Sequence, residues 1–480
     1  MSAKVLSRHA ARRAPLRIWA PAVALMLTLG GCATVDPTPD YEWARDEVTA
    51  ATGEEALFQP GEEQQVAERV GELLDGGLTA QESVQVSLLN NGELQALLYG
   101  IGVRRADAVQ AGLLTNPSLG ALVRFPFGDG STTTEAGLFG SIAELWQLSP
   151  RERLAESQLE RTVLEVAHTA ASLAAQTKVA YFRASAATAA LSAAEENHAT
   201  AREFLELTLE RQEAGAATQV DVNAARSEFL EQEALVREAQ FTVFDAKREL
   251  ALVLGVAGRP RDLELSDAVT EVPEWSVDLA QLLDVAIGSR LDLQAAAKSV
   301  EAASSALALE NRNLWRNVNA GVSLESEGGD TQLGPGVRLQ LPLFDQNQAQ
   351  IAKAEYRHAQ ALRRLDALNV RIDQQVRGAF EQHALAADTA RLYEDELLPL
   401  RRSSLELARE SFAEGKTGFL SVLEAQSRLL AARREYVERL ESLAVSIPAL
   451  EAACGRPLAE LLGTGASDEG LLPEQERGER

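Results

Sequence analysis

A seven-residue apolar series occurs twice in this chain, 200 residues apart. Val222, Phe229, Val236, Val243 and Leu250 form the first copy; Val422, Leu429, Tyr436, Leu443 and Leu450 form the second. Apolar residues every seven positions lie along one seam of a coiled coil, because two helical turns return a side chain almost to its starting face. Shorter matches keep nearly the same offset. Asn91-Gly-Glu-Leu-Gln-Ala96 returns as Arg290-Leu-Asp-Leu-Gln-Ala295, and Glu213-Ala-Gly215 as Ala413-Glu-Gly415. Repeats decide architecture before local propensity does. The chain is therefore built from a duplicated helical unit.

Composition and punctuation set the length of that unit. Aromatics are 5% of the chain and prolines number 16, a balance that favours long helices. No proline falls between Pro150 and Pro260. Arg151–Ala214 reads as one helix of roughly 96 Å at ~1.5 Å per residue. Gly215 then marks a turn and Ala224–Leu254 the returning helix. In the second half Asn347–Glu414 descends, Gly415–Gly418 turns and Val422–Leu450 returns, with a kink expected at Pro399. Each half is a long antiparallel helical hairpin. Periodicity alone fits a structural coiled coil.

The segments ahead of the hairpins argue for more. Asn317–Glu325 alternates, with Val318, Ala320, Val322 and Leu324 on one side and polar residues or glycine on the other. Ser326–Leu333 reads as a polar tip, and Val337, Leu339, Leu341 and Leu343 resume the alternation. Period-two alternation is the strand signal. A membrane strand needs ~9–11 residues, apolar toward lipid and polar toward water. The first half carries a weaker version. Leu119, Ala121, Val123 and Phe125 alternate, Gly128–Ser131 is the tip, and a second strand is expected over Glu135–Leu148. Trp146 and Trp315 stand at the helix-proximal ends, as an interfacial belt or as core residues. Open strand edges cannot sit in lipid, and a barrel needs ~8 strands or more. Four strands per chain therefore imply several chains, two or three on composition alone.

Five basic residues (Lys4, Arg8, Arg12, Arg13, Arg17) precede an apolar run, Ile18–Leu29, and Gly30-Gly31-Cys32. This is a signal-peptide pattern, too short to span a membrane. The cysteine after small residues resembles a bacterial lipoprotein signal. That resemblance implies cleavage before Cys32, acylation of Cys32 and, with Ala33 rather than Asp next, sorting to the outer membrane. The net charge is −25, and losing the basic segment makes the body more acidic still. Such a surface repels nucleic acid. Two cysteines give no disulfide framework, and five His with two Met give no dedicated metal site. His168, His198, His358 and His383 read as helix-surface residues and Cys454 as a buried apolar residue. No catalytic constellation and no phosphate loop occur, so neither enzyme nor cofactor is expected.

Several fragments, in this order and duplicated, resemble the TolC-like outer-membrane efflux proteins. They are Leu78-Thr-Ala-Gln-Glu-Ser-Val84, Asn90-Asn-Gly-Glu-Leu-Gln95, Ala111-Gly-Leu-Leu-Thr-Asn-Pro-Ser-Leu119, Arg290-Leu-Asp-Leu293 and Gly336-Val-Arg-Leu-Gln-Leu-Pro-Leu-Phe-Asp345. The phrase Leu341-Pro-Leu-Phe-Asp-Gln-Asn-Gln348 looks most like the branch paired with heavy-metal pumps of the RND type. The resemblance, over roughly Leu78 to Leu461, implies a mainly α fold with membrane β-structure. It further implies a homotrimer whose four strands per chain complete a twelve-stranded barrel above a helical duct. It also implies a periplasmic adaptor (membrane fusion) protein and an inner-membrane pump as partners. The expected organisation is a signal over 1–31, an acidic segment over 32–77, repeats over 78–260 and 279–461, a linker over 261–278 and a disordered tail over 462–480. Hairpins are expected at about 118–148 and 317–343. The family's periplasmic aperture falls at the helical turns, here Gly215, Asp221, Gly415, Ser421 and Glu424. Asp221 is also a natural helix cap. A linking Arg of some members is Thr417 here, and a closing Tyr is Phe412. The competing reading is a lipid-anchored periplasmic coiled-coil scaffold without transport.

Overall fold

The computed structural model describes residues 33–258, 262–266 and 278–457. The signal segment, Cys32 and the expected 462–480 tail lie outside the described residues, as does most of the 261–278 linker. The chain divides into two units, Met1–Asp36 and Pro37–Arg480. In the first, the described residues Ala33–Asp36 have no regular structure.

The second unit opens with four short helices, α1 (Thr38–Thr52), α2 (Glu63–Leu74), α3 (Ala80–Asn90) and α4 (Gly92–Gly112). Strands β1 (Ser118–Arg124) and β2 (Thr133–Ser141) follow, then α5 (Glu144–Glu213) and α6 (Gln219–Val253). The second half repeats the order: α7 (Leu279–Ser289), α8 (Leu291–Arg312), β3 (Val318–Glu327), β4 (Asp330–Leu339), α9 (Gln348–Arg391), α10 (Leu398–Ala413) and α11 (Phe419–Cys454). Helix α5 has 70 residues, ~105 Å at the α-helical rise. It carries Pro150 inside its second turn and starts seven residues before the expected Arg151.

The heptad series is the packing seam. Val222 and Leu250 of α6 are buried, as are Val422, Leu429, Leu443 and Leu450 of α11. The remaining positions of both copies are half-buried. Helix α5 packs against both α6 and α11, and α9 and α10 pack against α11. The helical layer therefore runs α6, α5, α11, then α9 with α10.

The paired Asn91 and Arg290 motifs explain why the returning helices end where they do. A helix leaves its last carbonyls without internal partners. The Asn91 amide donates to Val253 O at 3.0 Å, and the Asn90 amide to Leu254 O at 3.1 Å and Gly255 O at 2.9 Å. The Arg290 guanidinium does the same for Ala452 O and Ala453 O, at 3.3 and 3.1 Å. Gly255 and Gly455 follow with φ of 68° and 74°, left-handed positions that suit glycine. A Cβ on Gly255 would also lie 2.6 Å from the Asn90 carbonyl oxygen.

Proline interrupts the second descending helix as expected, in a specific form. A six-residue π-helical stretch, Leu392–Leu397, separates α9 from α10, with Pro399 in the first turn of α10. Proline lacks an N–H and its ring crowds the carbonyl four residues back, so the helix widens just ahead of it. The corresponding part of α5 has no proline and stays α-helical.

Two hairpin expectations need correction. The second hairpin turns on Gly328-Gly329, with φ of 58° and 101°, not on an eight-residue tip. Two successive left-handed residues make the tight turn that matches strand twist, and glycine permits both. Strand β4 consequently starts at Asp330 and ends at Leu339, so Leu341 and Leu343 lie beyond it, where Pro342 has no N–H to give a ladder. In the first hairpin β2 ends at Ser141 rather than Leu148. Glu144, awkward in a strand, begins α5, where its carboxylate accepts from the Thr115 backbone N–H at 2.9 Å and from the Thr115 hydroxyl.

Candidate transmembrane sheet and helical aperture

The four strands form one antiparallel sheet in the order β1-β2-β3-β4. Cross-strand partners share a face, so the register shows whether the four alternations agree. Leu119, Leu138, Val322 and Pro335 stand in one row; Ala121, Ala136, Leu324 and Leu333 stand in the next. The row between them holds Gly120, Gly137, Ser323 and Gly334, and the row beyond the second holds Leu122, Glu135, Glu325 and Gln332. One face is thus apolar from edge to edge and the other carries the charges. Arg124 pairs with Glu135 at 3.1 Å on the polar face. The apolar face has no cover among the described residues: Leu119 is 80% exposed, Val337 73% and Leu333 63%.

One aromatic sits among the polar rows. Phe139 aligns with Ser118, Gly321 and Gly336. A Cβ at Gly321 would lie 2.4 Å from the Phe139 ring and 2.2 Å from the Leu138 carbonyl oxygen. Glycine there lets the ring lie flat on the sheet, with the Arg338 guanidinium 5.6 Å from its centroid.

Strands β1 and β4 each pair on one side only. Their outer backbone groups have no ladder partner among the described residues, which lipid does not tolerate. The helical layer is open in the same way. The outermost helix α6 exposes Val220, Leu230 and Phe241. The opposite edge exposes Val370, Leu385, Leu392, Leu400 and Leu407 along α9, the π-helical stretch and α10.

The two helical turns carry the residues expected to form the aperture. Gly215 and Gly415 take φ of 73° and 72°. At the first turn Thr218 caps α6, and Asp221 completes the box. The Asp221 carboxylate accepts from Thr218 N–H at 2.8 Å and Thr218 Oγ1 at 2.7 Å, while Asp221 N–H donates to Thr218 Oγ1 at 3.3 Å. Those bonds, led by the one from the Thr218 backbone, hold the Asp221 carboxyl below the usual range. At the second turn Gly418 stands in the capping position without a side-chain cap. Ser421 is exposed there, its N–H directed to Gly418 O at 3.1 Å. Glu424 is exposed and pairs with Arg428 one turn along α11.

The turns are joined by aromatics that the sequence reading did not assemble. Phe204 of α5 stacks on Phe419 of α11 at 5.0 Å, and Phe419 meets Phe412 of α10 edge-on at 6.2 Å. The Arg211 guanidinium lies 4.4 Å from the Phe412 centroid. Thr417, exposed in the second turn, takes no part. The partial signal is local: Phe412 and Phe419 flank the second turn, and Phe204 lies nine residues before the end of α5, but only docking of the helices brings the three together.

The histidines correct a further expectation. His383 is 8% exposed, with Nδ1 2.8 Å from Ser446 Oγ between α9 and α11. His168 lines a small cavity beside Arg290, Lys178 and Glu451. Cys454 is fully buried, and burial pushes its thiol up to about 11. Among the described residues no His, Cys, Asp and Glu gather in a group that could hold a metal ion.

Long helical hairpins below a one-face-apolar sheet with open edges define a channel-forming outer-membrane protein. The chain belongs to the outer membrane efflux protein family, whose model matches residues 84–256 and again 282–456. It is similar to the probable efflux pump outer membrane protein SepC of Pseudomonas putida, 24% identical over 481 aligned positions that cover 90% of this chain and 96% of the relative. It is also similar to the cobalt-zinc-cadmium resistance protein CzcC of Cupriavidus metallidurans, 23% identical, covering 75% of this chain and 86% of that one. Among solved structures, CusC superposes with a TM-score of 0.66 at 17% identity over 78% of this chain and 91% of its own. The outer-membrane channel OprN gives 0.65 at 18% identity over 85% and 95%. The protein is an outer-membrane efflux channel component, with its helices contributing to a helical barrel and its strands to a β-barrel.

Proposed function

We propose that three copies of this chain pool their strands into a twelve-stranded barrel and conduct cargo passively, as the outer-membrane exit of a tripartite pump. The observation that carries the reading is the open, one-face-apolar, four-stranded sheet. Its edges require neighbours in lipid, and three chains exceed the minimum for closure where one does not. In this assembly a periplasmic adaptor docks at the helical turns, and an inner-membrane pump, of the RND type or another, supplies the energy. No catalysis occurs in this chain. The relatives named for toluene and for cobalt, zinc and cadmium resemble it about equally, at 24% and 23% identity, which supports cargo choice by the pump.

The lipid anchor belongs to the same proposal. Cys32 carries acyl chains in the outer membrane, each buried CH₂ adding ~0.8 kcal/mol of anchoring. The turns Gly215–Asp221 and Gly415–Glu424 form the periplasmic aperture. Asp221 serves it as a helix cap, and Glu424 contributes a carboxylate already paired with Arg428, so its ring is weaker than three bare charges.

Planar-bilayer recording tests the reading. The purified full-length protein should give discrete conductance steps, and Glu424→Gln should reduce cation preference modestly. Absence of steps from protein that retains its helical content would support a coiled-coil scaffold instead.

A further inference from the structure

The polar face of the sheet separates its charges along the strands. Glu135, Glu325, Glu327 and Asp330 stand toward the hairpin turns, where Arg124 is paired with Glu135. Arg338 stands at the helix-proximal end, in a row with Ser141 and Asn319. Between the two ends lie two rows of glycine and serine in which Phe139 is the one large side chain. When the sheets of several chains close, this face lines the water-filled lumen. The middle of that wall is then bare backbone carrying one ring per chain.

Phe139 and Arg338 lie together and both keep unused capacity. An added Cβ would come within 2.6 Å of the Phe139 ring at Gly137 and within 3.6 Å at Gly336, so the ring rests on the backbone of the strands beside it. One face of this half-buried ring is covered by the sheet, and the other meets the lumen. The Arg338 guanidinium lies 5.6 Å from the ring centroid. Its side chain is exposed and makes no ion pair and no hydrogen bond among the described residues, whereas Arg124, the other arginine of the four strands, is paired. A guanidinium fork matches a carboxylate, and an aromatic ring stacks offset on another ring. An aryl carboxylate carries its charge at the edge of its ring, so one molecule stacked on Phe139 reaches Arg338. We propose that Phe139 and Arg338 form a lumenal contact site for aromatic carboxylates, one in each chain. The inference rests on the channel reading, in which the polar face meets the cargo.

Block of single-channel current by 2-naphthoate, with the full-length protein in planar bilayers, tests the site. Naphthylmethanol lacks the charge, and cyclohexanecarboxylate lacks the aromatic ring. Naphthoate should half-block the current at a concentration at least about threefold below either, the ratio expected of one solvent-exposed contact. Arg338→Gln should raise that concentration toward the value for the alcohol, and Phe139→Leu toward the value for the cyclohexane acid. Arg338→Lys keeps the charge without the fork and should fall between. Arg124→Gln removes the same charge from the same face and should weaken the block less than Arg338→Gln. Equal block by the three probes overturns the proposal. So does equal weakening by Arg124→Gln and Arg338→Gln, since the overall charge of the lumen would then suffice. If Phe139→Leu does not insert, the ratio of naphthoate to cyclohexanecarboxylate in the unaltered protein decides the aromatic contact. Steps that occur without naphthoate preference overturn the site alone, whereas an unaltered protein that gives no steps overturns the channel reading and the site with it.

Discussion

At the scale of single residues, the two helical turns show how a duplicated sequence diverges. Both turns keep glycine, because both need a left-handed residue. Only the first keeps a capping box, since Gly418 and Ser421 replace Thr218 and Asp221. Thr218→Ala should therefore cost about 1 kcal/mol and fray the start of α6, seen as faster amide exchange at 219–222. The depressed Asp221 carboxyl gives the sign of a pH effect. Its contribution is present above the ordinary carboxylate range and is lost as pH falls through the lower native value. The same exchange measurement should show α6 fraying in acid while the start of α11 changes less. Equal behaviour of the two turns would contradict the capping account. Asp221 and the glycines were legible in the sequence because caps and turns are local. The Phe204, Phe412 and Phe419 cluster was not, because helices must be docked before residues 208 and 215 positions apart can meet.

At the scale of elements, the sheet was legible wherever alternation was strict, in β1 and β3. Strand ends were harder. Glu144 and Trp146 looked like strand residues until Thr115 fixed the start of α5. The eight-residue tip became a glycine pair because ladder bonds extended over Ser326, Glu327, Asp330 and Thr331, whose side chains carry no apolar signal. Gly321 exposes the packing logic of the sheet. Gly321→Val has no room against Leu138 O and Phe139, so it should break the β2–β3 ladder and sharply lower the yield of membrane-inserted protein. Gly334→Val, where nothing lies within 4 Å of an added Cβ, should be tolerated. Matching yields for the two variants would count against this register.

Between helices the clearest lever is His383. Burial holds it below the usual histidine range, with Arg391 adding to the effect. The unfolded chain then binds the proton first, so stability is full above the ordinary histidine value and falls as pH drops below it. Thermal melts between about pH 7 and pH 5 should show that decline in the unaltered protein and a weaker one in His383→Gln. An identical slope in both would remove His383 from the account. Sequence alone placed this residue on a helix surface, since period counting cannot tell which face meets a helix more than 50 residues away.

At the scale of the whole molecule, both layers are unfinished in the same way. The sheet ends on β1 and β4, each paired on one side only, and the helical layer ends on the exposed apolar residues of α6 and of α9 with α10. Each edge would meet its counterpart on the next copy, so one rotation can close both layers. That requirement was readable from the sequence once four strands had been counted, because the minimum for closure is a property of barrels. The copy number was not readable, because composition carries no symmetry. Native mass spectrometry of the full-length protein extracted from membranes tests the central claim most directly. The account predicts a single species with the mass of three acylated chains. A monomer, or any copy number whose strands leave an open edge, would contradict it.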